Sequence, residues 1–309
     1  MSKIQISFVM TVYNKEKYLP SVLKALTGQT GLGEVEYIFC DDVSTDRSVE
    51  IIEEFMQDYP HVKIFKNTEN KGPGVRINQG IEAAEGEYIR MLDSDDIFPL
   101  DSTEKMLNLA QKHNADMVYG KFTRTYKPAP EITAEYMKDD IKYVFHKNAM
   151  DSILWGKYTR MGQLIKADVL KKAGGAHPLV FIQDESIPLR CAPYAANGII
   201  KMDANVVLVP LEDGNLSGSK IQLDHDRFLA YYYMIAENPG LAPRYLARLN
   251  QRAVSAFWKY RRKVAGHPYL SKDFVRYIAS KIFAPQPDMD YLNRAKAEFL
   301  ACPKILRVK

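Results

Sequence analysis

The chain has 309 residues, of which 46% are hydrophobic, and a formal net charge of +4. This length suits one large α/β domain, or a domain of about 200 residues with an appendage. No apolar run approaches the ~20 residues that cross a bilayer, the N-terminus lacks a signal-peptide pattern, and the three cysteines lie far apart without zinc spacing. The sequence therefore predicts a cytoplasmic protein with reduced thiols.

Short apolar segments alternate with amphipathic ones in the first part of the chain. Strands are predicted over Ile4–Met10, Val35–Cys40, Val62–Lys66 and a segment that ends at Asp93. Helices are predicted between them, over Lys15–Thr27, Arg47–Tyr59 and Val75–Ala84. This alternation predicts an α/β fold of the Rossmann type, with a mostly parallel sheet flanked by helices.

Polar residues follow each predicted strand. They are Thr11 and Tyr13, then Asp41 and Asp42, then Gly72 and Gly74, then Asp93 and Asp95. Ligands of open parallel sheets bind at the carboxyl ends of the strands, so these residues predict a nucleotide pocket at one edge. The chain has no G-x-G-x-x-G after its first strand and no P-loop, which argues against an NAD enzyme or a P-loop ATPase.

The acidic segment Met91–Asp96 ends the fourth predicted strand. Three carboxylates crowded at a strand end repel one another, and a hard divalent cation relieves that repulsion. Mg²⁺ takes one or two carboxylates together with phosphate oxygens of a substrate. The alternative is a capped turn, because Asp is common where a strand gives way to a helix.

Four segments in this order resemble glycosyltransferase family 2. They are Ser7–Asn14, Asp41–Ser48, Asn70–Gly80 and Leu92–Asp96, and the resemblance covers about residues 4–215. It implies a GT-A fold and an inverting transfer of a sugar from a nucleotide-diphosphate donor, usually a UDP-sugar, to a hydroxyl acceptor.

The resemblance also implies roles for residues at the nucleotide. Thr11 and Tyr13 match residues that line the base and ribose pocket, and Asp42 matches a carboxylate that accepts the uracil imide hydrogen. Arg76 and Asn78 stand where the family contacts the nucleotide.

Further roles concern the metal and the close approach of the backbone. Asp95 matches a ligand of Mn²⁺ or Mg²⁺, and Asp93 matches an acid near the ribose and the metal. Gly74 is expected to let the nucleotide approach closely, and Val43 stands where the family often has Gly.

A second chemical centre is predicted at Phe181–Arg190, which resembles the family segment E-D-x-x-L-x-x-R. The resemblance makes Asp184 the catalytic base, with Gln183 in place of the usual Glu, and Glu185 competes for the role. Arg190 is expected to orient a carboxylate or reach a phosphate, with a plain surface ion pair as the alternative. Asp184 could instead only cap a helix.

Two loops complete the predicted catalytic part. Tyr126–Tyr143 is predicted to be a loop that covers the site or, equally, a surface insertion without function. His225 follows the loop Leu211–Ser219, and in relatives a His in a late loop completes the metal shell, although the match here is loose.

The C-terminal region is basic and helical. From Asp226 to Lys309 there are 16 Lys and Arg against 6 Asp and Glu. The chain is therefore divided into a catalytic domain, residues 1–220, and a helical region, residues 221–309. Its Arg and Lys side chains together with Phe257 and Trp258 are compatible with docking on an anionic membrane surface. Packing on the catalytic domain or a homodimer contact is the plainer explanation, and no nucleic-acid motif is present.

These patterns predict an inverting, metal-dependent glycosyltransferase. Its acceptor is expected to be a glycan or a lipid-linked molecule of bacterial surface polysaccharide or lipopolysaccharide synthesis, reached at the inner face of the membrane. A related nucleotidyltransferase is disfavoured because Thr11–Tyr18 offers no Gly-rich, basic loop for a triphosphate. A non-catalytic nucleotide-sugar-binding protein is supported only by Gln183.

Overall fold

The computed structural model describes residues 3–127, 131–156, 162–210, 220–264, 266, 269, 271–302 and 305. Its strands are β1 (Ile6–Val12), β2 (Val35–Asp41), β3 (Val62–Lys66), β4 (Tyr88–Asp93), β5 (Met117–Thr125), β6 (Tyr143–His146), β7 (Gln163–Lys166) and β8 (Ile199–Pro210). Its helices are α1 (Leu19–Thr27), α2 (Ser48–Met56), α3 (Pro73–Ala83), α4 (Ser102–His113), α5 (Ala149–Trp155), α6 (Ala167–Lys172), α7 (Ile187–Cys191), α8 (Lys220–Glu237), α9 (Pro243–Val264), α10 (Lys272–Phe283) and α11 (Met289–Ala301).

The strands form one sheet in the order β3-β2-β1-β4-β7-β5-β8-β6. β3, β2, β1 and β4 are all parallel, which confirms the prediction for the first part of the chain. β7 lies antiparallel between β4 and β5, while β5 and β8 are parallel and β6 is antiparallel to β8. The α/β prediction is confirmed, with an antiparallel strand in the middle of the sheet.

The first helix begins later than predicted. α1 starts at Leu19 rather than Lys15, with Pro20 in its first turn, where the missing N–H leaves no hydrogen bond unmade. The backbone N–H of Lys15 instead donates to the Ser48 hydroxyl at 2.7 Å. The segment before α1 is therefore tied to the first residue of α2.

Two apolar cores lie on the two faces of the sheet, because successive side chains of a strand point to opposite faces. Phe8 belongs to the core beneath α1, α2 and α4, and Val9 belongs to the other. The second core continues without a break into α8, α9 and α11, where Phe228, Phe257 and Phe299 are buried. The helices after residue 220 are thus packed on the sheet through a shared core.

The described part of the predicted loop Tyr126–Tyr143 packs beside α4. The N–H of Leu100 donates to the Glu135 carbonyl at 3.0 Å, and the N–H of Met137 donates to the Asp101 carboxylate at 2.8 Å. Among the residues that the structure describes, no helix combines the length and apolar character that crossing a membrane requires.

A buried carboxylate joins the strands at the edge opposite their carboxyl ends. Glu36 is fully buried and accepts hydrogen bonds from the Ser7 hydroxyl at 2.5 Å, the Glu85 N–H at 2.6 Å and the Lys63 ammonium at 2.9 Å. Burial by itself would raise the pKa of Glu36, but these donors outweigh it and hold that pKa below its ordinary value of 4.5.

We expect Glu36→Gln to lower the free energy of unfolding by about 2–4 kcal/mol at neutral pH, because the variant leaves charged donors without their carboxylate. A lowered folded-state pKa stabilises the fold above the unfolded pKa, and this stabilisation is lost as the pH falls through the folded value. The difference between wild type and variant should therefore shrink below pH 4.5. Urea unfolding at several pH values measures it.

Glu85→Gln is the matched control, since the Glu85 side chain is 66% exposed and pairs with the same Lys63. Its expected effect is about 0.5 kcal/mol or less. Equal losses in the two variants would contradict the role given to Glu36.

Candidate active site

The predicted polar residues meet at the carboxyl ends of β1, β2 and β4. In the parallel register Thr11 lies opposite Asp93 on β4, and Val12 lies opposite Asp41 on β2. Tyr13, the next residue after β1, keeps 49% of its surface exposed. Its ring is therefore accessible to a ligand at this edge.

The loops after β1 and β2 hold each other in place. The Asn14 side-chain oxygen accepts from the Thr45 N–H at 2.8 Å, and the Asn14 N–H donates to the Ser44 hydroxyl at 3.0 Å. Val43, which directly precedes Ser44, has a φ of +68°, in the left-handed region. This conformation strains a β-branched side chain, and glycine, which the family resemblance implies at this position, would adopt it without strain.

Asp42 fastens the segment after β3 to the end of β2. Its buried carboxylate accepts from the N–H groups of Lys71 at 2.9 Å and Gly72 at 2.8 Å, and from Arg76 Nε at 2.7 Å. The Arg76 guanidinium also donates to the Glu69 carbonyl. A carboxylate has about four acceptor positions, so one remains for a base, and the predicted roles of Asp42 and Arg76 at the nucleotide stay predictions.

Asn78 and Gly74 attach α3 to the segment 176–180. The Asn78 side chain donates to the Ala176 carbonyl at 2.8 Å and accepts from the Ala176 N–H at 2.7 Å. A Cβ on Gly74 would lie 3.4 Å from the Val180 carbonyl oxygen. The contacts of both residues are thus with this segment, and their predicted contacts with a nucleotide remain untested.

Four carboxylates gather where β4 ends. Burial raises the pKa of Asp93 to about 6, an effect that Asp95 adds to and Lys15 opposes. Burial also raises the pKa of Asp96 well above its usual range, with further contributions from Asp93, Asp95 and Asp184. The Lys15 ammonium forms an ion pair with the Asp95 carboxylate. The site is therefore short of positive charge even with this lysine in place.

These oxygen donors fit a hard divalent cation. Within the described ranges, no three carboxylate, imidazole or thiol groups lie close enough together to hold a metal by themselves. At phosphate sites Mg²⁺ and Mn²⁺ need only one or two carboxylates, because phosphate oxygens complete the shell. The ammonium on Asp95 shows that this carboxylate accepts a cation as a neighbour.

Within the predicted segment Phe181–Arg190, Gln183–Glu185 forms a 3-10 turn that faces the end of β4, and the residues from Ile187 onward belong to α7. Gln183 Nε2 donates to Asp93 at 3.3 Å, and Asp184 lines the same small cavity as Asp93. Glu185 points elsewhere: it is buried, and its carboxylate accepts from Arg227 Nε at 3.1 Å. The two candidates for the base therefore have different surroundings, and only Asp184 borders the cavity at β4.

Helix α8 fixes this turn, which the sequence did not indicate. The Asp226 carboxylate is fully buried and accepts from the Ile182 N–H at 2.9 Å, from Gln222 Nε2 at 3.1 Å and from His225 Nδ1 at 2.7 Å. His225 lies inside the helix and is buried against Phe299, so its suggested place in a metal-binding loop is wrong. The loop Leu211–Ser219 lies outside the described residues.

Arg190 is not brought to the site. Its Nε donates to the Gly175 carbonyl at 3.1 Å, and its Nη1 donates to the Glu237 carboxylate at 2.9 Å. Glu237 also accepts His177 as a partner at 3.0 Å. This ion pair is the alternative that the sequence left open for Arg190, and it supports the packing of α7 on α8. The predicted contact of Arg190 with a substrate stays a prediction.

Comparison with known proteins identifies the family. Residues 7–172, more than half of the chain, match the family described as Glycosyl transferase family 2. The chain belongs to glycosyltransferase family 2. The poly(ribitol-phosphate) beta-glucosyltransferase of Bacillus spizizenii is 36% identical over 120 residues, which are 38% of this chain and 19% of that protein. The chain spans only 19% to 46% of the length of the family members most similar to it in sequence.

Solved structures of glycosyltransferases show the same fold. S. aureus TarS 1-349 in complex with UDP-GlcNAc matches with a TM-score of 0.67 over 96% of this chain and 89% of that chain, at 18% identity. The mannosyltransferase PcManGT from Pyrobaculum calidifontis, in complex with GDP-Man and Mn²⁺, matches with a TM-score of 0.58 over 97% and 88%, at 14% identity. The predicted GT-A fold is confirmed, and the C-terminal helices lie within the matched region.

We expect Val43→Gly to raise the free energy of unfolding by about 0.5–1 kcal/mol. Glycine removes the ~1–2 kcal/mol that a side chain costs in the left-handed region, and its greater freedom in the unfolded chain offsets part of that gain. Chemical denaturation measures the difference. Val43→Ala keeps a Cβ and should gain less, and a glycine variant less stable than wild type would contradict the strain.

Proposed function

We propose that the chain is an inverting glycosyltransferase that moves a sugar from a uridine-diphosphate donor to a hydroxyl group of an acceptor. The observation that carries the proposal is the position of Asp184 on the cavity that Asp93 also lines, with Gln183 bonded between the two segments. The Asp184 carboxylate, a possible general base, thus borders the place where the donor's ribose and phosphates are expected.

The donor class is supported by the pocket and by the structural neighbours. Neighbours of the same fold were solved with UDP-GlcNAc and with GDP-Man, so nucleotide-sugars fit this architecture. Uridine is favoured here because Asp42 keeps one acceptor position for an imide hydrogen and Tyr13 offers an exposed ring for stacking.

Asp95, with Asp93 beside it, would hold Mn²⁺ or Mg²⁺. When bound, such an ion neutralises charge that develops on the departing nucleoside diphosphate. The protein's own groups hold the surrounding charges in place. Lys15 pairs with Asp95, and the buried Asp96, whose pKa is raised, lies close to Asp93 and Asp95.

Asp184 is the proposed general base. It removes the proton of the acceptor hydroxyl, whose oxygen attacks the anomeric carbon from the face opposite the diphosphate, and the bond to the diphosphate breaks with inversion. Glu185 is occupied by Arg227, and that pair positions the turn rather than touching the acceptor.

The acceptor is proposed to be a hydroxyl-bearing glycan or lipid-linked precursor of a bacterial surface polymer, made on the cytoplasmic side. Its support is the relative that glucosylates poly(ribitol-phosphate). A nucleotidyltransferase or a non-catalytic binding protein remains the alternative, and the following measurements separate them from a transferase.

Calorimetric titration with UDP tests the donor site. We expect binding in the presence of Mn²⁺ and an affinity at least ~10-fold lower without it, because phosphate oxygens and Asp95 share the ion. Asp95→Ala should abolish the effect of the metal. Asp58→Ala, a change of an exposed acid on the loop after α2, should leave it unchanged. Failure of uridine, guanosine, cytidine and thymidine diphosphates to bind would overturn the proposal.

A pair of variants tests the base. Asp184→Asn should lower the transfer rate roughly 10²–10⁴-fold while the affinity for UDP stays as in wild type, because only proton removal is lost. Glu185→Gln should lower the transfer rate less than about tenfold, since Glu185 affects the reaction only by positioning the turn that carries Asp184. Transfer is followed as UDP release with a panel of donors and acceptors. Wild-type rates in Asp184→Asn would rule out this residue as the base.

A further inference from the structure

Helix α10 exposes an apolar stripe to solvent. Val275, Ile278, Ile282 and Phe283 are 65%, 39%, 68% and 76% exposed. Their spacing along the helix places them on one face, as in amphipathic helices that lie on a surface. We call these four residues the α10 stripe.

The opposite face of α10 anchors the helix to α9. Tyr277 stacks on Trp258 with ring centroids 4.4 Å apart, and Phe274 lies 5.8 Å from the same ring. The aromatic residues that the sequence offered for membrane contact, Phe257 and Trp258, are 3% and 6% exposed and belong to the core. The α10 stripe, in contrast, is exposed and available to a partner.

A group of cations lies where α10 packs on α9, and Lys281 Nζ is 5.3 Å from the centroid of the Tyr277 ring. Arg248, Arg252 and Lys259 share one face of α9, and Lys281 joins them from α10. Arg248 Nε and Arg252 Nη2 donate to the same carbonyl, that of Leu154, at 3.0 and 2.9 Å. We call these four cationic residues the basic cluster.

Acidic neighbours do not balance the basic cluster. In the part of the chain that the structure describes, no carboxylate lies within 4.0 Å of any of its four cations. Partial burial lowers the pKa of Lys281, and Arg248, Lys259 and Arg252 lower it further by repulsion. The cluster therefore attracts an anionic surface or ligand.

We propose that the α10 stripe and the basic cluster dock this protein on a bilayer that contains anionic lipids. Such a bilayer supplies an apolar boundary for the stripe and negative headgroups for the cations. A soluble polyanion would leave the exposed Ile282 and Phe283 in water. A second copy of the chain would bring like charges together. The inference goes beyond sugar transfer and does not depend on it.

Co-sedimentation of the full chain with vesicles tests the docking. Vesicles of phosphatidylcholine with and without phosphatidylglycerol are compared at low and high salt. We expect binding to the anionic vesicles, weakened by salt, and little binding to phosphatidylcholine alone. Ile282→Ser with Phe283→Ser should lower the affinity at least tenfold, and Lys281→Gln with Lys259→Gln roughly twentyfold, since each cation near an anionic surface contributes about fivefold.

Matched controls separate docking from general effects. Val144→Ser changes an apolar residue on β6 that is 56% exposed, and Lys24→Gln changes an exposed lysine on α1. Both should bind like wild type, and UDP affinity should be equal in all variants. The proposal is overturned if wild type stays in the supernatant, or if the α10 variants bind like the controls. The proposal is also overturned if the α10 variants leave vesicle binding unchanged and abolish only a dimer seen by sedimentation. The same holds if they abolish only the binding of soluble polyphosphate.

Discussion

The buried pair of Asp42 and Arg76 is the interaction on which the nucleotide half of this site depends. Three donors from the segment after β3 end on one carboxylate at the end of β2. Both side chains are almost fully buried, so loss of either would leave a charge without a partner, at a cost of about 3–5 kcal/mol. The same contacts fix the start of α3, from which Asn78 reaches the segment that leads to the catalytic turn. One ion pair thus links the predicted nucleobase pocket to Asp184, the predicted general base.

The helices after residue 220 take part in the construction of the site. Asp226 holds the backbone just before the 3-10 turn, and Arg227 neutralises Glu185 inside it. Buried carboxylates that accept several hydrogen bonds are stable only when every donor stays in place. The 3-10 turn is therefore only as rigid as the packing of α8 against the sheet. Residues on both sides of the predicted boundary at residue 220 therefore contribute to this turn.

Much of the donor half could be predicted from the sequence because its signals are local. Parallel strands of alternating or continuous apolar residues end in polar residues, and these ends meet at one edge of the sheet, as Thr11 and Asp93 do. Contacts between distant segments carry no such signal. Asn78 binds Ala176 and Asp226 binds Ile182, and nothing in the spacing of these residues along the chain indicates that they meet. The four-residue strand β7 is too short for a periodic pattern, so the antiparallel break in the sheet was also beyond prediction.

The ion pair of Lys15 and Asp95 has a consequence for how a metal ion and a nucleotide would affect each other's binding. A divalent ion that reaches Asp95 must exchange with an ammonium already there, so the net gain is smaller than it would be at a bare carboxylate. The displaced ammonium stays tethered beside the site, where a diphosphate would be its nearest new counter-ion. Metal and nucleotide each remove a charge imbalance that the other creates. In the proposed site their affinities would therefore be coupled, and by linkage each would strengthen the other by the same factor.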